Sequence, residues 1–343
     1  MESMQELYYL WTLNIVFTCC FYWYKYQKKK NRRPCRRFAV RPVLQTRKLK
    51  GEFATFFKEI KDDDPEYFFK YTRMSRDTYL RLLQLVGPKL QKKCRTGRKI
   101  PAEERLAFTL RYLSTGDSQL SCSWTYRIGR STASMIIQET TVLQPLVLEP
   151  PTRTQWKAIA DEYLLFWNLA HCCGGIDGKY IYMQAPPNTG SIYFCHKSMF
   201  ALVMMALCDA RYRFIWVDIG APGSESDGGI LQRSDLGLAL HNRMLNLPAP
   251  DLLPNSNVTF PYYFVGDEAF PLGPSLMRPY PGKFLEREKK VFNYRLSRAR
   301  RTIENAFGIF VARWRIFKKP IQATTKTVTT VTKGRFTIGS RVK

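Results

Sequence analysis

The stretch Val291–Lys319, VFNYRLSRARRTIENAFGIFVARWRIFKK, constrains the fold more than any other part of the chain. Ile303, Phe307, Phe310 and Trp314 recur at i, i+4, i+7 and i+11, the spacing of a helix with one apolar face. Such a face has to be covered by a core. Glu304 falls one step off that stripe, with Arg300 and Arg301 a turn before it. A carboxylate at the edge of a core-facing helix is held rigidly and can still face a cleft. The simpler reading is an (i, i+4) pair with Arg300, worth about 0.3 kcal/mol. The choice between the two depends on the other acids the chain brings.

From Gly174 onward, short apolar runs alternate with turn residues. GGIDGKYIYMQA, MFALVMMALCD and YRFIWVDIG predict three successive strands with tight connections. Gly223–Asn246 predicts a helical crossover, and YYFVGDEAF a fourth strand that ends in an acid. A Pro-rich loop over Pro271–Gly282 leads into the helix around Glu304. Three strands, a helix, a fourth strand and a terminal helix predict an α/β fold with a mixed sheet. Neither GxGxxG nor GxxxxGK[ST] occurs, so a nucleotide-cofactor or P-loop reading has no support.

Two acids on these strands join Glu304. Asp177 lies in GGIDGK, where the flanking glycines let a ligand's backbone approach closely. Asp267 follows the run Tyr262–Gly266, at the strand end where α/β sheets usually place binding residues. Each acid alone reads as a strand-end turn residue. Together, three acids on otherwise apolar elements are costly unless something offsets their charge. Divalent cations do so, because Mg²⁺ is held by a few carboxylates plus substrate phosphates.

Ahead of this region, residues 51–150 read as helices with short breaks. Asp62–Asp64 precede a helix opening at Pro65. Ser75 starts another that should stop at Gly87–Pro88, and Pro101 starts a third that Gly116 ends. SQLSCSWTYRIGRSTASMIIQETT then fits a helix-turn-helix, with Arg130, Ser131, Thr132 and Ser134 at the start of its second helix, where base edges would be met. The plainer reading is two packed helices in a bundle.

Charge narrows the partner. With 54 basic and 28 acidic residues, the net charge of +26 points to a polyanion, nucleic acid above all. From Lys25 to Lys50 there are 12 basic residues and no acid, the pattern of a basic arm. The nine cysteines make no CxxC and the three histidines show no zinc spacing, so reduced thiols in an intracellular protein are expected. Leu7–Tyr24 is apolar but short for a membrane span and carries Thr12, Asn14 and Thr18. A packed aromatic helix followed by a nuclear-import or DNA-backbone patch is the favoured reading, and membrane anchoring by residues 7–24 the minority one.

From about Arg36 to Ile321 the chain resembles the PIF/Harbinger DDE transposases and the Harbinger transposase-derived nucleases. The stretches that carry the resemblance are RPVLQTR, RMSRDTYLRLLQLVGPKL, EERLAFTLRYLSTGDS, GGIDGKYIYMQAPPNTGSIYFCHK, GAPGSESDGGIL, FVGDEAFPL, LMRPYPG and NYRLSRARRTIENAFGIFVARWRIF. The resemblance implies a ribonuclease-H-like mixed sheet with flanking helices, preceded by an all-α helix-turn-helix-like region. It implies catalytic and metal-binding roles for Asp177, Asp267 and Glu304 at a two-metal site taking Mg²⁺ or Mn²⁺. Asp227 and Asp209 also fall in family motifs and are expected to support the site rather than hold a cation. Lys179, Arg295, Arg298, Arg300 and Arg301 would hold the DNA backbone. DNA is the implied substrate and the nucleus the implied compartment, with room for a separate Myb-like DNA-binding partner protein and a homo-oligomer. The implied activity is metal-dependent DNA cleavage with strand transfer; the alternative is a domesticated nuclear DNA-binding or interaction protein with a silent site.

The expected organisation is an apolar segment plus basic arm (1–50), a helical domain (51–150), a nuclease domain (171–320) and an atypical tail (321–343). That tail, TTKTVTTVTKGRFTIGSRVK after Gln322 and Ala323, reads as low-complexity sequence where the family usually continues into an apolar helix.

Overall fold

The computed structural model describes residues 2–30, 38, 40–91, 99–141 and 150–339. Part of the expected basic arm (31–37), residues 142–149 near the end of the expected helical domain, and the last residues of the tail (340–343) lie outside them. The chain divides into two compact units, Met1–Gln45 and Thr46–Lys343. In the first, α1 (Glu2–Lys30) carries the apolar run, and Leu7, Trp11 and Phe17 on it are exposed. No described helix is long and apolar enough to cross a membrane.

The second unit opens with helices whose ends follow local chemistry. In α2 (Pro65–Thr72), Asp64 is the N-cap and accepts from the Tyr67 N–H at 2.9 Å, with proline at the first helical position. Ser75 caps α3 (Arg76–Leu90). The predicted stop at Gly87–Pro88 is wrong: Pro88 lies inside this helix, which runs on to Leu90. The local stop signal was overridden by burial, since Val86, Gly87 and Leu90 all reach the core. Gly116, at φ 73°, ends α4 (Ala102–Thr115) in the left-handed region, where a glycine carries no penalty. The pair α5 (Gln119–Thr125) and α6 (Arg130–Thr141) follows, then α7 (Arg153–Trp167) with a Thr152/Gln155 capping box.

The sheet is mixed. Its strands are β1 (Cys172–Tyr182), β2 (Phe194–Cys195), β3 (Met199–Cys208), β4 (Phe214–Pro222), β5 (Tyr263–Val265) and β6 (Leu276–Met277). The order is β2-β3-β1-β5-β6, with β4 also paired to β3. The β1–β3 and β3–β4 pairs are antiparallel, whereas β5 lies parallel to β1 and β6 to β5. The two-residue β6 falls inside the segment expected as a Pro-rich loop. Between β4 and β5 the crossover contains α8 (Asp227–Arg233) and a second short helix, Asp235–His241.

The helix predicted around Glu304 is α9 (Arg287–Arg313), and its stripe of Leu296, Ala299, Ile303, Ala306, Phe307 and Phe310 is buried. It lies against β1 so closely that a β-carbon on Gly175 would come within 3.0 Å of Thr302 Oγ1 and 3.5 Å of Ile303 Cγ2. Under this contact, the Tyr163 hydroxyl bonds Thr302 Oγ1 (2.9 Å), Gly175 N–H donates to it (3.1 Å), and it donates to the Cys208 carbonyl (3.1 Å). One buried hydroxyl therefore ties together α7, β1, β3 and α9.

The segment expected as an atypical tail is a correction. Thr325–Gly339 is a helix, α10, with Val328, Val331 and Thr332 fully buried, and it packs against α6 and β4. Its two valines, three apart, give the one-sided pattern that lets a threonine-rich sequence dock on a core.

Candidate active site

Strand alternation sorts β1 into two faces. Gly175 faces α9, so Asp177 and Lys179 do too, and the Lys179 ammonium indeed lies 5.8 Å over the Phe307 ring. Gly178 and Tyr180 face the other way. On the open side of β1, β5 ends at Val265, opposite Gly175, while β1 continues to Tyr182. Two residues beyond that last pair stand Asp177, still on β1, and Asp267, just past the end of β5. The notch where the shorter parallel strand stops is thus edged by two carboxylates. Asp267 Oδ1 is fixed by the Ala269 N–H at 2.9 Å, and Asp177 Oδ1 by the Gly178 N–H at 2.9 Å.

A third carboxylate closes the notch from the opposite face. Asp227 opens α8 behind the N-cap Ser226, and its carboxylate lies directly over the α-carbon of Gly178, where an added β-carbon would sit 2.6 Å from Asp227 Cγ. The next residue, Gly228, is packed as tightly against the turn after Asp267: a β-carbon there would approach the Ala269 carbonyl oxygen to 2.6 Å. Two glycines therefore let the start of α8 pack on Gly178, the neighbour of Asp177, and on the turn after Asp267. Sequence reasoning placed Asp227 in a supporting role. The available signal was the Asp-Gly step shared by Asp177–Gly178 and Asp227–Gly228, with Gly228 at a helix start, where glycine is not needed for capping.

The electrostatics agree with this placement. Burial first, then the neighbouring Asp267 and Asp227, push the Asp177 carboxyl up to about 6, against the pull of the Gly178 N–H and Arg300. The Asp227 carboxyl is likewise raised, by burial and then by Asp267, with His196 opposing. Burial, and then Lys197, holds the Lys179 ammonium below its usual range.

Glu304 stands apart from the trio. Its carboxylate, about half exposed, pairs with Arg300 at 2.7 Å, and the same guanidinium reaches Asp177 Oδ2 at 3.8 Å. Arg300 thus stands between two of the three acids singled out by sequence. Among the other expected DNA contacts, Arg295 and Arg301 are exposed, and Arg298 lies 5.9 Å over the Tyr294 ring. On α9, Arg298 projects away from the side that carries Arg300 and Glu304, whereas Arg301 lies one turn before Glu304. On α6, Arg130 and Ser131 are exposed while Thr132 and Ser134 are half-buried. Asp209 is buried and holds a turn, accepting from the Arg211 and Arg213 N–H groups and from the Arg213 side chain.

Among the described residues, no three His, Cys, Asp or Glu side chains are drawn together closely enough to hold a metal ion as they stand. In chemistry the carboxylates fit a hard cation: the donors are all oxygen, and Asp177 and Asp227 are both raised by burial and by the charge of Asp267.

This arrangement, an antiparallel trio of strands extended by parallel ones with acids at the notch and on the covering helix, is the ribonuclease-H-like plan expected from sequence. Residues 176–334 match the DDE superfamily endonuclease family, a match that takes in most of α10. The chain is similar to Protein ALP1-like of Arabidopsis thaliana, 29% identical over 266 residues that cover 74% of this chain and 64% of that protein. It is similar to Antagonist of Like Heterochromatin Protein 1 of the same plant, 26% identical over 268 residues, covering 75% and 67%. It is also similar to "Putative nuclease HARBI1" of Xenopus laevis, 24% identical over 205 residues, covering 58% and 54%. The chain therefore spans less than two thirds of the length of the first of these relatives. No solved structure matches it.

Proposed function

We propose that the protein is a metal-dependent DNA endonuclease of the DDE type, acting in the nucleus on phosphodiester bonds. The observation that carries the reading is the notch itself, edged by Asp177 and Asp267, with Asp227 packed over Gly178 on the other face of β1. Asp177 and Asp267 would hold the cations, Asp227 would share that work, and Glu304 would complete the set once Arg300 turns away. Mg²⁺ or Mn²⁺ bound there would activate a water and stabilise the departing oxygen of the phosphodiester. Asp177, lifted to about 6, is mostly ionised at neutral pH and ready for a cation. Arg300 spans Asp177 and Glu304 and offsets their repulsion, and it is placed to move from carboxylate to phosphate when DNA arrives. Lys179, beside Asp177 on the same face, supplies a second cation for the backbone.

One observation favours a second reading, a domesticated DNA-binding or chromatin protein with a silent site. Arg300 fills the space between Asp177 and Glu304, and a relative bears the name Antagonist of Like Heterochromatin Protein 1. Incubating supercoiled plasmid with Mg²⁺ or Mn²⁺ separates the two. Nicking by the wild-type chain that Asp177→Asn and Glu304→Gln both abolish supports the nuclease. DNA binding without nicking at any metal concentration supports the silent protein.

A further inference from the structure

Beyond the carboxylates, the outer half of β1 carries a feature that cleavage chemistry does not use. Tyr180 and Tyr182 project from the face that bears Gly178 and Asp227, and their rings stack at 6.4 Å with an interplanar angle of 27°. The Tyr180 hydroxyl bonds His196 Nδ1 at 3.1 Å, and the two rings meet edge-on at 5.3 Å. Lys197, the next residue, holds its ammonium 5.8 Å over the Tyr180 ring. Both tyrosines are half-buried, and His196 and Lys197 are exposed.

The ladder therefore runs outward from the acids: Asp227 over Gly178, then Tyr180, then Tyr182, with two basic side chains alongside. Tyr180 is seated against the core on this face, and from it the ring stack runs outward to Tyr182 with the Lys197 ammonium beside it. That combination, aromatic faces flanked by positive charge, is the chemistry that holds unpaired bases without regard to sequence.

We propose that this ladder is a binding subsite for an unpaired nucleotide flanking the cleaved bond, so that the substrate is duplex DNA with a single-stranded or unstacked segment at the site. This rests on the reading of the protein as a DNA endonuclease. An unpaired base would extend the Tyr180–Tyr182 stack, and Lys197 would take the phosphate of the same nucleotide.

The test is equilibrium binding of the full chain to fluorescein-labelled DNA in EDTA, where no cleavage occurs. A blunt duplex is compared with the same duplex bearing a four-nucleotide single-stranded flank. Wild type should bind the flanked duplex roughly five- to 150-fold more tightly, the range expected for stacking of one base. Tyr182→Leu and Tyr180→Leu should lose that preference while binding the blunt duplex as wild type does, and Tyr182→Phe should keep it. Retention of the preference by both leucine variants overturns the proposal, as does a wild type that binds both duplexes equally. Either result leaves the nuclease reading standing. A folded wild-type chain that binds neither DNA overturns both.

Discussion

The carboxylate of Asp227 occupies the space over the α-carbon of Gly178, so these two residues, 49 apart in sequence, are close-packed partners at the edge of the notch. Only a residue without a β-carbon at 178 leaves room for the acid. The contact joins the start of α8 to the strand that carries Asp177, and it makes the first prediction.

Gly178→Ala should displace Asp227 and leave the rest of the sheet standing. A shift of about 1 Å in a positioned group can cost on the order of 100-fold in rate. Plasmid nicking by the alanine variant should therefore fall by at least about tenfold, with far-UV circular dichroism unchanged. Wild-type nicking rates in Gly178→Ala would show that the Asp227 position is not used.

Asp177 carries a stability cost whose sign is testable. Its folded-state pKa, about 6, lies above its ordinary value of 3.8, the reverse of the usual carboxylate case. The folded chain binds the extra proton between these values, so stability falls as pH rises through that window. Above about pH 6 the full cost remains, on the order of 2–3 kcal/mol. Asp177→Asn keeps the acceptor for the Gly178 N–H and removes the charge. Its Tm, measured without metal, should exceed that of wild type at pH 7.5, and the difference should vanish by pH 4. A difference that stays constant across that range would mean that the buried charge is not what costs stability.

The Tyr163 hydroxyl joins four elements beneath the site. Tyr163→Phe leaves the buried Gly175 N–H and Cys208 carbonyl short of a partner, which costs about 1–3 kcal/mol. Chemical denaturation should show that loss. Nicking should fall as well, because the network fixes α9 at Thr302, midway between Arg300 and Glu304. An unchanged denaturation midpoint would mean that the network does not hold the helix.

Most of the architecture was legible because it rests on local pattern. The apolar runs of β1, β3 and β4 and the spacing on α9 are written in consecutive residues, and Glu304 makes the (i, i+4) pair with Arg300 that was its plainer reading. What stayed hidden depends on contacts between distant segments. Asp227 reaches the notch through glycine packing at 178 and 228, and no spacing within its own segment announces that. Arg300 shows its (i, i+4) pair with Glu304 in sequence, but its reach to Asp177 depends on how α9 crosses β1. Helix α10 looked like low-complexity sequence because threonine dominates it, yet two buried valines suffice to seat it on α6. Pro88 misled in the opposite direction, since burial on both sides carried its helix past the local stop.

The central claim is that acids from two strands and a helix start form one cation site. Titrating the metal-free full chain with Mn²⁺, followed by calorimetry, tests it most directly, with Asp267→Asn and Asp227→Asn measured beside wild type. Wild type should bind saturably, and each substitution should weaken binding roughly tenfold or more, since carboxylate charge sets affinity at such a site. Equal Mn²⁺ affinity in all three chains, or no binding by a folded wild type, would contradict the claim.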